Sequence, residues 1–127
     1  MKIMLVEDHA ETAAAVSRLL RSWGHAVHTA GRYDDALRAF ADNDAELVLL
    51  DIGLPDGDGC DLLHEMLNIR DAKVVAMTGH AFPQERSDIH SAGFDDYLFK
   101  PFTSHQLGEV VQGITKMIGA RHAPISD

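Results

Sequence analysis

Glu7 with Asp8, Asp51, Thr78 and Lys100 each stand directly after a short strand-like run, and together their types suit one chemistry. If those runs are neighbouring strands, three carboxylates from two strand ends meet in one place. Like charges held so close raise one another's pKa and destabilise the fold locally. A hard divalent cation such as Mg²⁺ or Mn²⁺ relieves the repulsion, because it takes carboxylate and carbonyl oxygens together with water. A carboxylate beside such an ion can act as a nucleophile toward phosphorus, giving an aspartyl phosphate. The transferring group spreads negative charge over its equatorial oxygens, which metal and ammonium groups stabilise. Lys100 supplies an ammonium and Thr78 a hydroxyl donor. Each residue also has an ordinary structural use; an acidic pair often simply opens a helix, where the macrodipole favours it. Their joint placement is what points to phosphoryl chemistry.

The elements that must position them alternate regularly. Residues 3–6, 47–50 and 74–77 are apolar on both faces and too short for helices, so they read as fully buried strands. Residues 26–30 and 95–98 are weaker strand candidates with mixed faces. Between them, Val16, Leu19, Leu20 and Trp23 share a helical face that Gly24 caps. Ala36, Leu37 and Phe40 form a shorter face closing near Asn43, and Leu62, Leu63, Met66 and Leu67 a third. A fourth helix, from about Pro83 to Ala92, has Ile89 as its one large aliphatic residue and is expected to be the most mobile. The last helix opens on a Thr103/Gln106 capping box and carries the stripe Leu107, Val110, Val111, Ile114 and Ile118.

Five strands alternating with five helices imply a parallel sheet with right-handed crossovers and helices on both faces. Ligands bind beyond the carboxyl ends of such strands, which is where the four polar loci fall. The pattern predicts one domain over residues 1–119 and a fraying tail over 120–127.

Composition narrows the function. With 20 acidic and 11 basic residues, a net charge of -9 argues against a nucleic-acid surface, which needs clustered cations. The run Leu47 to Leu50 is far too short to span a bilayer, and no secretory segment follows Met1. The single cysteine, Cys60, allows no internal disulfide and reads as a packed or half-exposed side chain. A cytoplasmic protein without membrane or nucleic-acid partners is expected.

The order Glu7-Asp8, Asp51 with Pro55 and Gly59 downstream, Thr78, then Lys100-Pro101-Phe102 resembles the receiver domains of two-component response regulators. The resemblance runs from Lys2 to about Ile118 and is closest over the stretch from Asp51 to Gly59. It implies a flavodoxin-like (βα)5 fold with strand order 2-1-3-4-5. It also implies that Asp51 is the phosphoacceptor and that Glu7, Asp8, Asp51 and the Gly53 carbonyl hold Mg²⁺. Thr78 and Lys100 then meet the phosphoryl group, and the Lys100-Pro101 bond is cis, aiming the lysine. Tyr97 matches the aromatic switch position, filling space that Thr78 vacates. Gly53 and His80 match the positions that tune dephosphorylation. Gly57 stands where methionine is common, and Gly79 replaces the more frequent alanine.

A receiver takes its phosphoryl group from a histidine kinase or a histidine phosphotransfer protein. The output expected here is a separate protein, met through the fourth helix, fifth strand and fifth helix; the sequence leaves homodimerisation open. The same module also occurs fused to sensor kinases. Two other roles share the fold: a phosphorelay intermediate or phosphate sink, and a phosphorylation-independent protein-binding module. Phosphoryl lifetime separates a switch from a relay. Such a domain is a signalling switch rather than an enzyme, catalysing only its own phosphorylation and dephosphorylation.

Other motifs fail on spacing. The Asp-rich loop 56–61 is no calcium loop, since Asp61 and Leu67 stand where Gly and Glu are required. A haloacid-dehalogenase-type phosphatase wants a second acid where Gly53 stands, and no P-loop follows any strand. The eight histidines suggest no zinc-like i, i+4 pairing with carboxylates, and His9, His25 and His28 read as surface or loop residues.

Overall fold

The computed structural model describes residues 1–79 and 91–122. Five parallel strands, β1 (Lys2–Val6), β2 (Ala26–Ala30), β3 (Leu47–Asp51), β4 (Lys73–Thr78) and β5 (Asp96–Phe99), form one sheet of order β2-β1-β3-β4-β5. Four helices are described: α1 (Ala10–Ser22), α2 (Tyr33–Asp42), α3 (Gly59–Ile69) and α4 (Ser104–His122). Of the helix expected over 83–92, all but Ser91 and Ala92 lies outside the described residues.

Side chains alternate along a strand, so a strand buried on both faces feeds two cores. Met4, Val6, Val48, Leu50 and Ala76 pack beneath α2 and α3 with Phe40, Leu63 and Met66. Ile3, Leu5, Leu49, Val75 and Met77 pack on the other face with Leu20 of α1 and Leu107, Val111 and Ile114 of α4. The all-apolar runs 3–6, 47–50 and 74–77 are therefore the three central strands. β2, at the edge, leaves Ala26, His28 and Thr29 exposed.

Local rules set the helix ends. At the end of α1, Gly24 has φ +94°, and the His25 and Gly24 N–H groups donate to the Leu20 and Arg21 carbonyls. That pair of bonds is the Schellman arrangement, and it calls for glycine in the left-handed position. The Thr103 N–H donates to Gln106 Oε1 at 2.8 Å and the Gln106 N–H to Thr103 Oγ1 at 3.1 Å, closing the capping box.

Several element ends differ from the sequence reading by a residue or more, three of them for a visible local reason. Trp23 does not join the buried face of α1; it is 40% exposed. It occupies the C-cap, past the last helical residue, where its ring lies over Gly108 of α4. β5 begins at Asp96 rather than 95, because the Asp95 carboxylate accepts from the Val74 N–H at 2.9 Å and faces Lys73. α4 continues to His122, past the expected boundary at 119, through an Ala-Arg pair of high helix propensity.

Arg70, just past α3, ties its own loop to the end of α2 and the α2–β3 connection. Its guanidinium donates to the carbonyls of Phe40, Asn43 and Ala45 at 3.1, 2.7 and 2.8 Å, and lies 4.2 Å from the centre of the Phe40 ring. Arg70→Ala orphans three carbonyls and removes a cation–π contact, so urea denaturation should show a loss of about 2 kcal/mol. Arg70→Lys should recover little of it, because an ammonium cannot reproduce the planar fork. Full recovery by lysine would show that charge, not geometry, holds the loops.

Candidate functional site

Each acidic residue is carried to the rim by the end of a central strand. The Glu7 N–H donates to the Ala30 carbonyl at 2.9 Å, extending the β1 pairing one residue and fixing where its side chain emerges. That side chain is 0% exposed. Asp8 follows, and His9 is the N-cap of α1, with no side-chain capping bond. Asp51 is the last residue of β3, its side chain 9% exposed, with Oδ1 accepting from the Gly53 N–H at 2.9 Å.

Lys100 reaches this group from the far side of the sheet. Its N–H donates to the Thr78 carbonyl at 2.7 Å, and the Lys100-Pro101 peptide is cis. Its Nζ then lies 2.6 Å from Glu7 Oε2 and 3.2 Å from Asp51 Oδ2. Burial pushes the ammonium's pKa down. The hydrogen bond to Glu7 and the charges of Asp51 and Glu7 outweigh this and hold it above the ordinary lysine value.

Glu7 divides its oxygens. While Oε2 meets Lys100, Oε1 accepts from the His9 backbone at 3.2 Å and faces His9 Nδ1 at 3.0 Å. His9 Nδ1 also lies 3.4 Å from Asp8 Oδ1. The hydrogen bond to Glu7, then the charges of Asp8 and Glu7, raise the imidazole's pKa. Sequence places His9 at the surface; the structure puts its exposed ring at the edge of the site. The available signal was its place directly after an acidic pair.

Thr78 ends β4, one residue beyond Met77, the register partner of Asp51, and is 4% exposed. Tyr97 and Phe99 follow on β5 opposite Ala76 and Thr78, with ring centroids 4.9 Å apart. The structure thus brings Glu7, Asp8, Asp51 and Lys100 into one cluster and Thr78 onto the adjoining strand tip. Tyr97 lies farther down β5. His80 lies outside the described residues.

Three carboxylates facing one ammonium form a donor set with excess negative charge, which suits a hard divalent cation. One ligand atom from each of Glu7, Asp8, His9 and Asp51 can be chosen so that all lie within 4.8 Å of one another. Octahedral bonds of about 2.1 Å place adjacent ligands roughly 3.0 Å and opposite ligands roughly 4.2 Å apart. Small side-chain movements close the cluster on one ion, so the residues present fit the group.

The nearby Asp-rich loop does other work. Asp56 accepts from the Tyr33 N–H at 2.9 Å, capping α2, and Asp58 accepts from the Cys60 N–H at 2.7 Å, capping α3. A Cβ on Gly57 would come within 2.3 Å of the Tyr33 ring, whose hydroxyl donates to Glu65. Tyr33 therefore fills the space above the loop that a longer residue at 57 would need. One expectation is overturned: His105 Nε2 and Glu109 Oε1 do pair one turn apart on α4, at 2.9 Å. Both are highly exposed, and among the described residues they belong to no group of three or more metal-ligating side chains, so this is a surface ion pair.

Fold and site together define a small doubly wound α/β domain with an acidic, cation-compatible centre at its strand tips. The chain belongs to the response regulator receiver domain family, whose profile matches residues 3–112. A two-component response regulator from Clostridium difficile superposes with a TM-score of 0.88 at 26% identity, covering 93% of this chain and 98% of that one. The receiver domain of a Pseudomonas aeruginosa sensor histidine kinase superposes with a TM-score of 0.79 at 28% identity, over 90% of this chain and 97% of that one. That structure carries a magnesium ion coordinated in its active site cleft. In sequence, the chain is 30% identical over 110 residues to the signal transduction histidine-protein kinase BarA of Shigella flexneri, covering 84% of this chain. It spans only 12% of that relative's length. Among the described residues, no helix is long and apolar enough to cross a membrane.

Proposed function

We propose that this receiver domain accepts a phosphoryl group on Asp51 and uses it to change which protein surfaces it presents. The observation that carries this is the Lys100 ammonium set between Glu7 and Asp51, on the most buried carboxylates of the site. Glu7, Asp8, Asp51 and the Gly53 carbonyl are the groups assigned to Mg²⁺ or Mn²⁺. When bound, the ion neutralises charge on the incoming phosphoryl oxygens.

The chain's own residues supply the rest. The Gly53 N–H fixes Asp51 Oδ1, leaving the carboxylate positioned to attack phosphorus in line with a departing histidine or acyl oxygen. Lys100 gains a third anionic neighbour and Thr78 adds its hydroxyl; both stabilise the adduct. Gly53, which presents no side chain, and His80 are the positions assigned to tuning its lifetime.

The donor is a histidine kinase or a histidine phosphotransfer protein, in cytoplasmic signalling without nucleic-acid contact. The readout face includes β5 and α4, available to a downstream protein or a second copy; most of the segment 83–92, assigned to it from sequence, lies outside the described residues. Tyr97, against Phe99 and partly buried on β5, is the residue that couples Thr78 to that face.

The test is incubation with Mg²⁺ and a small acyl phosphate, followed by intact mass. One phosphoryl adduct that requires metal is expected, and its decay rate reports whether the state persists as a switch's must. No adduct on a folded, Mg²⁺-binding protein would sink the reading. Tyr97→Ala should form the same adduct, while the phosphorylation-dependent change in amide exchange over β5 and α4 shrinks. An undiminished change would remove Tyr97 from the coupling.

A further inference from the structure

We infer that His9 is a nitrogen ligand to the metal at this site, so that the site discriminates among divalent cations in favour of transition ions over Mg²⁺. The inference rests on the metal-site reading above and adds to it a donor of another chemical kind. His9 Nδ1 stands 3.0 Å from Glu7 Oε1 and 3.4 Å from Asp8 Oδ1, on the side of Glu7 opposite the Lys100 contact. Those separations are close to the roughly 3.0 Å between adjacent ligands on an octahedral ion of this size. One ring nitrogen of His9 and one oxygen each from Glu7, Asp8 and Asp51 also lie within 4.8 Å of one another.

The local backbone puts the ring there. His9 occupies the N-cap of α1 with φ -81° and ψ 110° and spends no side-chain atom on capping, although the position favours residues that do. Its ring is instead turned back onto the acids, while 72% of the side chain stays exposed. In the metal-free site Nδ1 partners Glu7 Oε1; binding an ion would exchange that hydrogen bond for a metal bond, with the Nδ1 proton released and the remaining ring proton on Nε2.

Ligand chemistry then decides the consequence. Mg²⁺ binds oxygen and holds its waters tightly, so it gains little from an imidazole and can leave a water in that place. Manganese and the later first-row ions accept imidazole readily, with affinity rising along the series. His9 therefore adds affinity for Mn²⁺, Co²⁺ or Zn²⁺ while leaving Mg²⁺ binding nearly unchanged. In a cell, the ion at the acidic centre would follow the ratio of these metals rather than Mg²⁺ alone.

The experiment uses Mn²⁺ as the probe, because its free-ion EPR signal reports binding directly and its bound state reports ligand nitrogen. Mn²⁺ affinity, and Mg²⁺ affinity by competition, are measured for wild type and His9→Asn. Asparagine is a good N-cap residue, so the variant should fold; circular dichroism checks that it does. Expected are ¹⁴N modulation in the electron spin echo of the wild-type Mn²⁺ complex, its loss in His9→Asn, and about tenfold weaker Mn²⁺ binding there with Mg²⁺ affinity held. Binding of Mn²⁺ without ¹⁴N coupling, or with equal effects on the two metals, would overturn the role of His9 and leave the oxygen site standing. Failure of wild type to bind either metal would remove the metal site itself.

Discussion

Asp51→Asn should take up no phosphoryl group from a small acyl phosphate under conditions where the wild type gains one. The exchange keeps size and shape, and a side-chain oxygen remains to accept the Gly53 N–H now held by Asp51 Oδ1. What disappears is the anionic nucleophile, since an amide oxygen cannot form the acyl phosphate. The fold should not suffer. Three carboxylates crowd this rim against one ammonium, and removing the central one reduces like-charge repulsion while Lys100 keeps its 2.6 Å contact with Glu7. The variant should therefore melt no lower than wild type in metal-free buffer, yet gain less from added Mg²⁺, because a weaker site yields less stabilisation at a given concentration. Phosphoryl uptake is lost while metal-free stability is kept, and a merely structural aspartate would not behave so. A full-strength adduct on Asp51→Asn would place the acceptor elsewhere, and peptide mapping would find it.

The pattern of the central strands makes this centre legible in the sequence. Residues 3–6, 47–50 and 74–77 are apolar on both faces, and only a strand sandwiched between helical layers makes use of that pattern. With three central strands fixed, the polar residue after each must emerge at one edge, and Glu7, Asp51 and Thr78 follow. The capping box at Thr103 and the glycine at 24 are equally plain, because they are bonds between residues at most five apart.

What sequence did not reveal depends on distance across the fold. Arg70 finds its acceptors 25 to 30 positions away, at Ala45, Asn43 and Phe40, and nothing in its neighbours announces them. The absence of a side chain at 57 is explained only once the Tyr33 ring is known to lie over it. The residue pattern starts β5 one residue early, because Asp95 spends its carboxylate on the Val74 N–H, a contact that sequence does not announce. His9 was assigned to the surface, correctly by exposure, but its ring turns inward onto two acids whose positions only the fold supplies. The His105–Glu109 pair, by contrast, is local, one helical turn apart, and readable from spacing alone.

Lys100→Met should expose how much of this architecture depends on a single ammonium. Glu7 is completely buried and Asp51 nearly so, and Lys100 Nζ is the one Lys or Arg charge in ion-pair contact with either among the described residues. Methionine keeps the apolar stem and removes the charge, leaving a buried carboxylate whose remaining side-chain contact is the exposed His9 ring. Breaking such a pair costs about 3 kcal/mol, since an uncompensated buried charge is the costly outcome. The urea midpoint of metal-free protein should drop accordingly, and Mg²⁺ should recover part of the loss by supplying positive charge to the same oxygens. The pH dependence has a definite sign. The folded pKa of Lys100 lies above the ordinary 10.5, so the ammonium's contribution is whole below that pH and vanishes as pH climbs through the folded value. Wild-type and Lys100→Met stabilities should stay apart from neutral pH up to about 10.5 and converge above it. Equal midpoints at neutral pH, with or without metal, would mean that Glu7 and Asp51 are tolerated at this rim without Lys100.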